Sequence, residues 1–155
     1  YTRKDTNNIC NFINKLNANF VYNLSPIINL SINIDKNNLF SFFFASTHGV
    51  IWGKDVINHY IKKYPNVYHI DMQFNFCLNK FSYYKPIIYQ TFPLTENRII
   101  WQKKLKISSL IEKLKLKKYN KNFKKNYNLI YKFYRILSLF IILIIIFIIF
   151  KHKLN

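Results

Sequence analysis

The stretch ILSLFIILIIIFIIF, from Ile136 to Phe150, decides the fold class of this chain. Ser138 is the only polar side chain among its fifteen residues. As an α-helix it would be about 22 Å long at about 1.5 Å per residue, whereas a bilayer core of about 30 Å is usually crossed by about 20 residues. Arg135 and Lys151 flank it, and their long side chains could reach a membrane surface. A single membrane span is therefore one interpretation.

The second interpretation is a buried segment of an α/β core, either a strand or a helix. A parallel strand that is buried on both faces is a continuous apolar run, and β-branched Ile favours strands. Composition also enriches Ile, because Ile, Asn and Lys supply 67 of the 155 residues. The sequence leaves both interpretations of Ile136–Phe150 open.

This composition departs strongly from average usage and is typical of AT-biased coding in organelle genomes. The chain carries 24 Lys and Arg against 6 Asp and Glu, a formal charge of +18. Half of the residues are apolar, which excludes a disordered basic tail. Six carboxylates and two glycines are too few for most hydrolytic or phosphate-binding active sites. We expect no enzyme, no cofactor and no small-molecule substrate.

The cysteines and histidines do not predict a metal site either. Cys10 and Cys77 lack the spacing of a zinc site and are too few for a disulfide framework. The four histidines have no ligand-like spacing with one another or with the cysteines; they are His48, His59, His69 and His152.

Residues 103–135 form the most basic part of the chain, with twelve Lys or Arg against the single acid Glu112. Apolar residues recur there at helical spacing in two stripes, which predicts a pair of helices. We expect the Tyr and Phe residues of the second stripe, including Phe123 and Tyr127, to face protein. Clustered ammonium groups bind polyanions by releasing counterions, although a charge run can also be a solvated face. The candidate RNA-binding residues are Lys103, Lys104, Lys106, Lys113, Lys117, Lys118, Lys121, Lys124 and Lys125; Lys115 lies in the same run.

The region before residue 103 predicts a small mixed sheet. Residues 28–34 alternate between apolar and polar, as a half-buried strand does, and a turn at 35–38 leads to the apolar run 39–45. Residues 67–74 and 83–92 are further predicted strands, and 55–64 is a predicted short helix. Gly49 and Gly53 are expected where the backbone is tight or has positive φ.

The predicted organisation is therefore an α/β chain in four parts. Residues 1–25 are an Asn-rich arm with a short helix near 9–20, and residues 26–102 are the α/β core. Residues 103–135 are the basic helical hairpin, and 136–155 hold the apolar segment with a basic C-terminal stub.

Several motifs resemble a known family. Thr47-His48-Gly49 precedes Tyr60-Ile61 and then the segment YHIDMQ at 68–73. PLTEN at 93–97 is followed by Trp101 and by SSLIEKL at 108–114. Over residues 46–115 this order resembles the small-subunit ribosomal protein two family of bacteria and organelles. The resemblance implies an α/β fold with a helical hairpin and a non-catalytic role in binding ribosomal RNA.

Two functions follow as hypotheses. The first is a structural constituent of an organellar small ribosomal subunit in the mitochondrion, with ribosomal RNA and neighbouring ribosomal proteins as partners. The alternative is a single-span accessory subunit of a mitochondrial inner-membrane respiratory complex or ATP synthase, in contact with the membrane through Ile136–Phe150. A plastid location and a soluble RNA-binding module outside the ribosome are weaker alternatives.

Overall fold

The computed structural model describes residues 2–45, 49–56, 58, 75–89, 113–116 and 121–154. These residues form a mixed five-stranded sheet and a long C-terminal helix. The elements are α1 (Arg3–Ile13), β1 (Val21–Asn23), β2 (Ile28–Asn33), β3 (Asn38–Ala45), β4 (Val50–Trp52), α2 (Lys54–Val56), β5 (Lys80–Tyr83) and α3 (Phe123–Leu154). The strand order is β2-β3-β5-β1-β4, and β1 and β5 are parallel whereas the other neighbours are antiparallel. The predicted α/β class with a small mixed sheet is confirmed.

The hairpin of β2 and β3 follows directly from local sequence. The alternating run becomes β2, and the apolar run after it becomes β3. Between them the Asp35 carboxylate accepts hydrogen bonds from the backbone N–H groups of Asn37 and Asn38, at 2.7 and 2.9 Å. Asp side chains favour turns because they bond backbone groups two or three residues ahead. The predicted strand and turn are confirmed here.

The first 25 residues belong to the fold and are not a separate arm. α1 begins at Arg3, earlier than predicted, because Thr2 and Asp5 form a capping box at its start. β1 lies inside the sheet between β5 and β4, and its residues Val21 and Tyr22 are completely buried. A three-residue strand is too short to show an alternating pattern, so the sequence did not reveal it.

The predicted strand at 83–92 is also wrong in its bounds, because β5 ends where that prediction starts. Pro86 has no N–H to donate to a neighbouring strand, and the N–H of Ile87 instead donates to the Leu24 carbonyl at 2.9 Å. β5 begins at Lys80, whose buried ammonium donates to the carbonyls of Asn75 and Cys77. Burial lowers the pKa of Lys80.

The glycines have two different roles. Gly49 has φ +79°, the left-handed conformation that glycine allows. Gly53 is required by a close approach, since a Cβ there would lie 2.0 Å from the Ala18 carbonyl oxygen. Of the predicted helix at 55–64 the structure describes α2 and Asn58; its remainder and the predicted strand at 67–74 lie outside the described residues.

Two buried clusters hold α1 and α3, and a third buries Val56 of α2 against Val21, Phe44 and Cys77. α1 packs on one face of the sheet, where Ile9, Tyr22, Phe81 and Tyr83 form a buried cluster. A second cluster joins the start of α3 to the chain before β2 and to the 113–116 segment; it comprises Ile27, Leu116, Phe123 and Tyr127.

α3 changes the predicted boundaries at the C-terminus. The second predicted basic helix and the apolar run are one continuous helix of 32 residues, so residues 135 and 136 do not divide two segments. The strand interpretation of Ile136–Phe150 is therefore wrong. The first predicted helix of the hairpin lies mostly outside the described residues, of which only 113–116 belong to it.

Candidate membrane anchor and basic surface

α3 packs along β2, which is an edge strand of the sheet. The Ser31 backbone N–H donates to the Ser138 hydroxyl at 3.0 Å. Arg135 donates to the Ser31 hydroxyl at 2.8 Å and to the Asn33 side-chain oxygen. An edge strand exposes unpaired backbone groups, and covering it with a helix satisfies them. Ser138 and Arg135 therefore fix the helix to the sheet.

Two tyrosines extend this attachment toward the start of the helix. The Tyr127 hydroxyl donates to the Ser25 carbonyl at 3.1 Å, and the Tyr131 hydroxyl donates to the Tyr84 carbonyl at 3.0 Å. Tyr127, Tyr131 and Ser138 are all buried. Phe123 and Tyr127 thus face protein, as predicted for this stripe. The polar contacts of α3 with the fold end at Ser138 among the residues described.

From Leu143 to Phe150 the helix is apolar and exposed around its circumference, whereas Ile141 and Ile142 just before this stretch are half-buried. Every side chain from Leu143 to Phe150 is at least 44% exposed, and Phe147 reaches 70%. The interpretation of this run as a buried core segment is therefore wrong for the described structure. Burying apolar surface gains about 25 cal/mol per Å², so covering this surface with lipid or protein would be favourable. Within the described ranges, α3 is the one helix long and apolar enough to cross a membrane.

The predicted RNA-binding residues are only partly described. Lys113, Lys121, Lys124 and Lys125 are exposed, and so is Lys115, which has positive φ. The Asn126 amide donates to the Leu114 carbonyl at 2.9 Å, which holds the 113–116 segment against the first turns of α3. These five lysines form what we call the basic surface, and none of them contacts a carboxylate of a described residue. The other predicted sites lie outside the described residues; they are Lys103, Lys104, Lys106, Lys117 and Lys118.

Some residues at this site were not predicted from the sequence. Lys85 forms an ion pair with the buried Asp5 at 2.9 Å, and together they join the loop after β5 to α1. The sequence offers no signal for this pair because its members are distant along the chain. The sequence does give a signal for Ser138, because it is the single polar residue of an apolar run. In the part of the chain that the structure describes, no three His, Cys, Asp or Glu side chains could hold a metal ion.

Comparison of the whole chain with protein-family models, with curated proteins and with solved structures gives no significant match. The resemblance of residues 46–115 to the small-subunit ribosomal protein two family remains a prediction from motifs. Function is therefore inferred from α3 and the basic residues beside it.

Proposed function

We propose that the protein is a small, non-catalytic accessory subunit of a mitochondrial inner-membrane complex, anchored by α3. The observation that carries the proposal is the exposed apolar surface of Leu143–Phe150 on a helix whose other end is fixed to a folded domain. A helix that is apolar on all sides is buried in protein or in lipid, and the described fold does not cover this one. The Ile, Asn and Lys composition supports an organelle-encoded protein.

The length of the run fits a membrane when its flanks are included. From Phe133 to Phe150 the helix rises about 27 Å, at about 1.5 Å per residue, which approaches the thickness of about 30 Å of a bilayer core. Phe133 is 60% exposed and Tyr134 is adjacent, as in the aromatic belts at membrane surfaces. Lys151 is exposed at the far end and can extend to the opposite surface. A short span is also accommodated by local thinning of the bilayer.

Alkaline carbonate extraction of the organelle membranes tests this function. A spanning protein stays in the membrane pellet because carbonate removes proteins held by charge alone. Recovery of the protein in the supernatant would contradict the anchor. Isolation of native membrane complexes in mild detergent would then identify whether the chain migrates with a respiratory complex or an ATP synthase.

A constituent of the mitochondrial small ribosomal subunit is the second candidate function. The exposed basic surface favours it, because five lysines there lack carboxylate partners among the described residues. Such a surface neutralises phosphates and contributes affinity that depends on salt. The chain has only three Arg, so these contacts would position an RNA backbone more than read its bases.

Sedimentation of organelle lysates at low and high salt tests the second function. A ribosomal constituent migrates with small-subunit particles at low salt, and glutamine at Lys121, Lys124 and Lys125 weakens that association. Co-migration with membrane complexes, with none on ribosomal particles at any salt concentration, would exclude it.

A further inference from the structure

A groove lies between α3 and the loop that follows β5, beside the first residue of the apolar run. Its volume is about 510 Å³, within the range of about 300–1,000 Å³ that is usual for small-ligand sites. The helix contributes residues spaced three and four apart, and the loop contributes residues on either side of Pro86. The loop contributes Tyr84, Lys85, Pro86 and Tyr89, and α3 contributes Asn128, Tyr131, Lys132, Arg135 and Ile136.

The groove carries a net positive charge. Lys85 is balanced by Asp5, with which it pairs at 2.9 Å. Arg135 donates only to neutral oxygens of Ser31 and Asn33, so its charge is not neutralised there. Lys132 is exposed and has no hydrogen bond or ion pair with any described residue. The three cations and Asp5 therefore leave a charge of about +2 in the groove, which attracts an anion.

Neutral donors and apolar surface surround these charges. The Tyr89 hydroxyl donates to the Asn128 side-chain oxygen at 3.3 Å, which orients the Asn128 amide N–H groups as donors. Ile136 and Pro86 add apolar surface to the lining. Because Ile136 starts the exposed apolar run, an acyl chain that leaves the groove along α3 would meet apolar side chains.

We propose that this groove binds the phosphate group of an anionic phospholipid whose acyl chains lie along α3. The site rests on the membrane anchor proposed above, since the groove lies at the level where that anchor would enter the bilayer. Basic pockets next to membrane helices bind acidic headgroups in this way. A zwitterionic choline headgroup fits less well because its cation would meet Lys132 and Arg135.

The proposal is tested with the full chain purified in neutral detergent. Short-chain phosphatidylglycerol and phosphatidylcholine of equal chain length are titrated by calorimetry. We expect phosphatidylglycerol to bind about fivefold more tightly, and Lys132→Gln to remove most of that preference, since one basic residue near an anionic surface contributes roughly this factor. Lys36→Gln is the control, because Lys36 is exposed in the β2–β3 turn, outside both the groove and the basic surface; its affinity should stay within about twofold of the native chain.

Four results would overturn the proposal. They are equal affinity for the two lipids, equal effects of Lys132→Gln and Lys36→Gln, inorganic phosphate binding as tightly as the lipid, and displacement of the lipid by a short single-stranded RNA at comparable concentration. The titration is independent of carbonate extraction. If the chain stays in the membrane pellet but does not prefer phosphatidylglycerol, the membrane anchor stands and the lipid site in the groove is excluded. If carbonate releases the chain, the anchor is excluded, and the titration still tests whether the groove binds phosphatidylglycerol.

Discussion

The Ser138 hydroxyl on α3 accepts a hydrogen bond from the backbone N–H of Ser31 on β2, at 3.0 Å. The same hydroxyl lies 2.7 Å from the Tyr134 carbonyl, to which it donates within the helix. One serine therefore satisfies an edge-strand group and fixes where the helix leaves the folded domain. Because Leu143–Phe150, which lie beyond this contact, are exposed on all sides, the bond is the last polar contact between the domain and the helix among the described residues.

Ser138→Ala should loosen the attachment of α3 to β2. The Ser31 N–H would lose its acceptor while buried, which costs about 1–3 kcal/mol. Hydrogen–deuterium exchange of the Ser31 amide in the detergent-solubilised chain should become faster. Leu139→Ala is the control, because Leu139 is the next residue and is 56% exposed. Unchanged exchange at Ser31 in Ser138→Ala would contradict this role.

A charge within the apolar run should abolish membrane insertion. Ile144 lies near the middle of the run and is 58% exposed, so Ile144→Lys leaves the folded domain intact. Lys at the centre of a membrane helix costs roughly 2.5–3.5 kcal/mol on insertion scales. A run this short has little insertion free energy from its other residues to offset that cost. We expect carbonate to release Ile144→Lys and to leave Ile144→Leu in the pellet. Retention of both variants would argue against a span centred here.

Asp5 should be a main determinant of domain stability. Its carboxylate accepts from the Thr2 N–H at 2.8 Å, from the Tyr83 hydroxyl at 2.9 Å and from Lys85 at 2.9 Å. Asp5→Asn removes the ion pair and weakens the helix cap, so we expect a loss of about 1–3 kcal/mol. Thermal unfolding measured by near-ultraviolet circular dichroism checks this, with Asp55→Asn as the control since the Asp55 side chain is exposed.

The stabilisation by the Asp5–Lys85 ion pair should be lost at both low and high pH. The Lys85 ammonium, with the Thr2 and Tyr83 hydrogen bonds, lowers the pKa of Asp5 from its ordinary 3.8 against the opposing effect of burial. The stabilising contribution of the Asp5 carboxylate is present above pH 3.8 and is lost as the pH falls through the lower pKa of the folded state. Asp5 in turn raises the pKa of Lys85 above its ordinary 10.5. The stabilising contribution of the Lys85 ammonium is therefore present below pH 10.5 and is lost as the pH rises through the higher pKa of the folded state. The difference in melting temperature between native chain and Asp5→Asn should therefore be largest between these limits. A difference that stays constant into strong acid would exclude the ion pair as its source.

Gly53→Ala should destabilise the domain more than Gly49→Ala. At Gly53 the new Cβ would lie 2.0 Å from the Ala18 carbonyl oxygen, and backbone must move to admit it; overpacking of this kind costs about 1–3 kcal/mol. At Gly49 the contact is 2.6 Å to the end of the Ile88 side chain, which can rotate away. What remains there is a tight contact of 3.2 Å with the Ile88 Cβ and the cost of a left-handed backbone, about 1–2 kcal/mol. Melting temperatures of the two variants check the order, and the reverse order would contradict it.

Features that depend on neighbouring residues could be predicted from local sequence. The alternation at 28–34 and the Asp35 turn produced the β2–β3 hairpin. Helical spacing through Phe123 and Tyr127 predicted the first half of α3 and its buried stripe. The excess of basic residues before the apolar run was also evident from the sequence, because exposed lysines do not depend on contacts with distant partners. Local patterns are informative here because adjacent residues share one backbone geometry.

The remaining features depend on contacts between segments that are distant along the chain. Periodicity cannot distinguish a buried strand from an apolar helix in a run where every residue is apolar, and the exposed helix surface at Leu143–Phe150 became visible only once the fold was in place. The short strand β1 acquires its position from pairing with β4 and β5, which are distant along the chain. The contacts of Ser31 with Ser138 and of Asp5 with Lys85 likewise join remote segments. Such contacts depend on how the chain closes on itself, and no local pattern of residues encodes that closure.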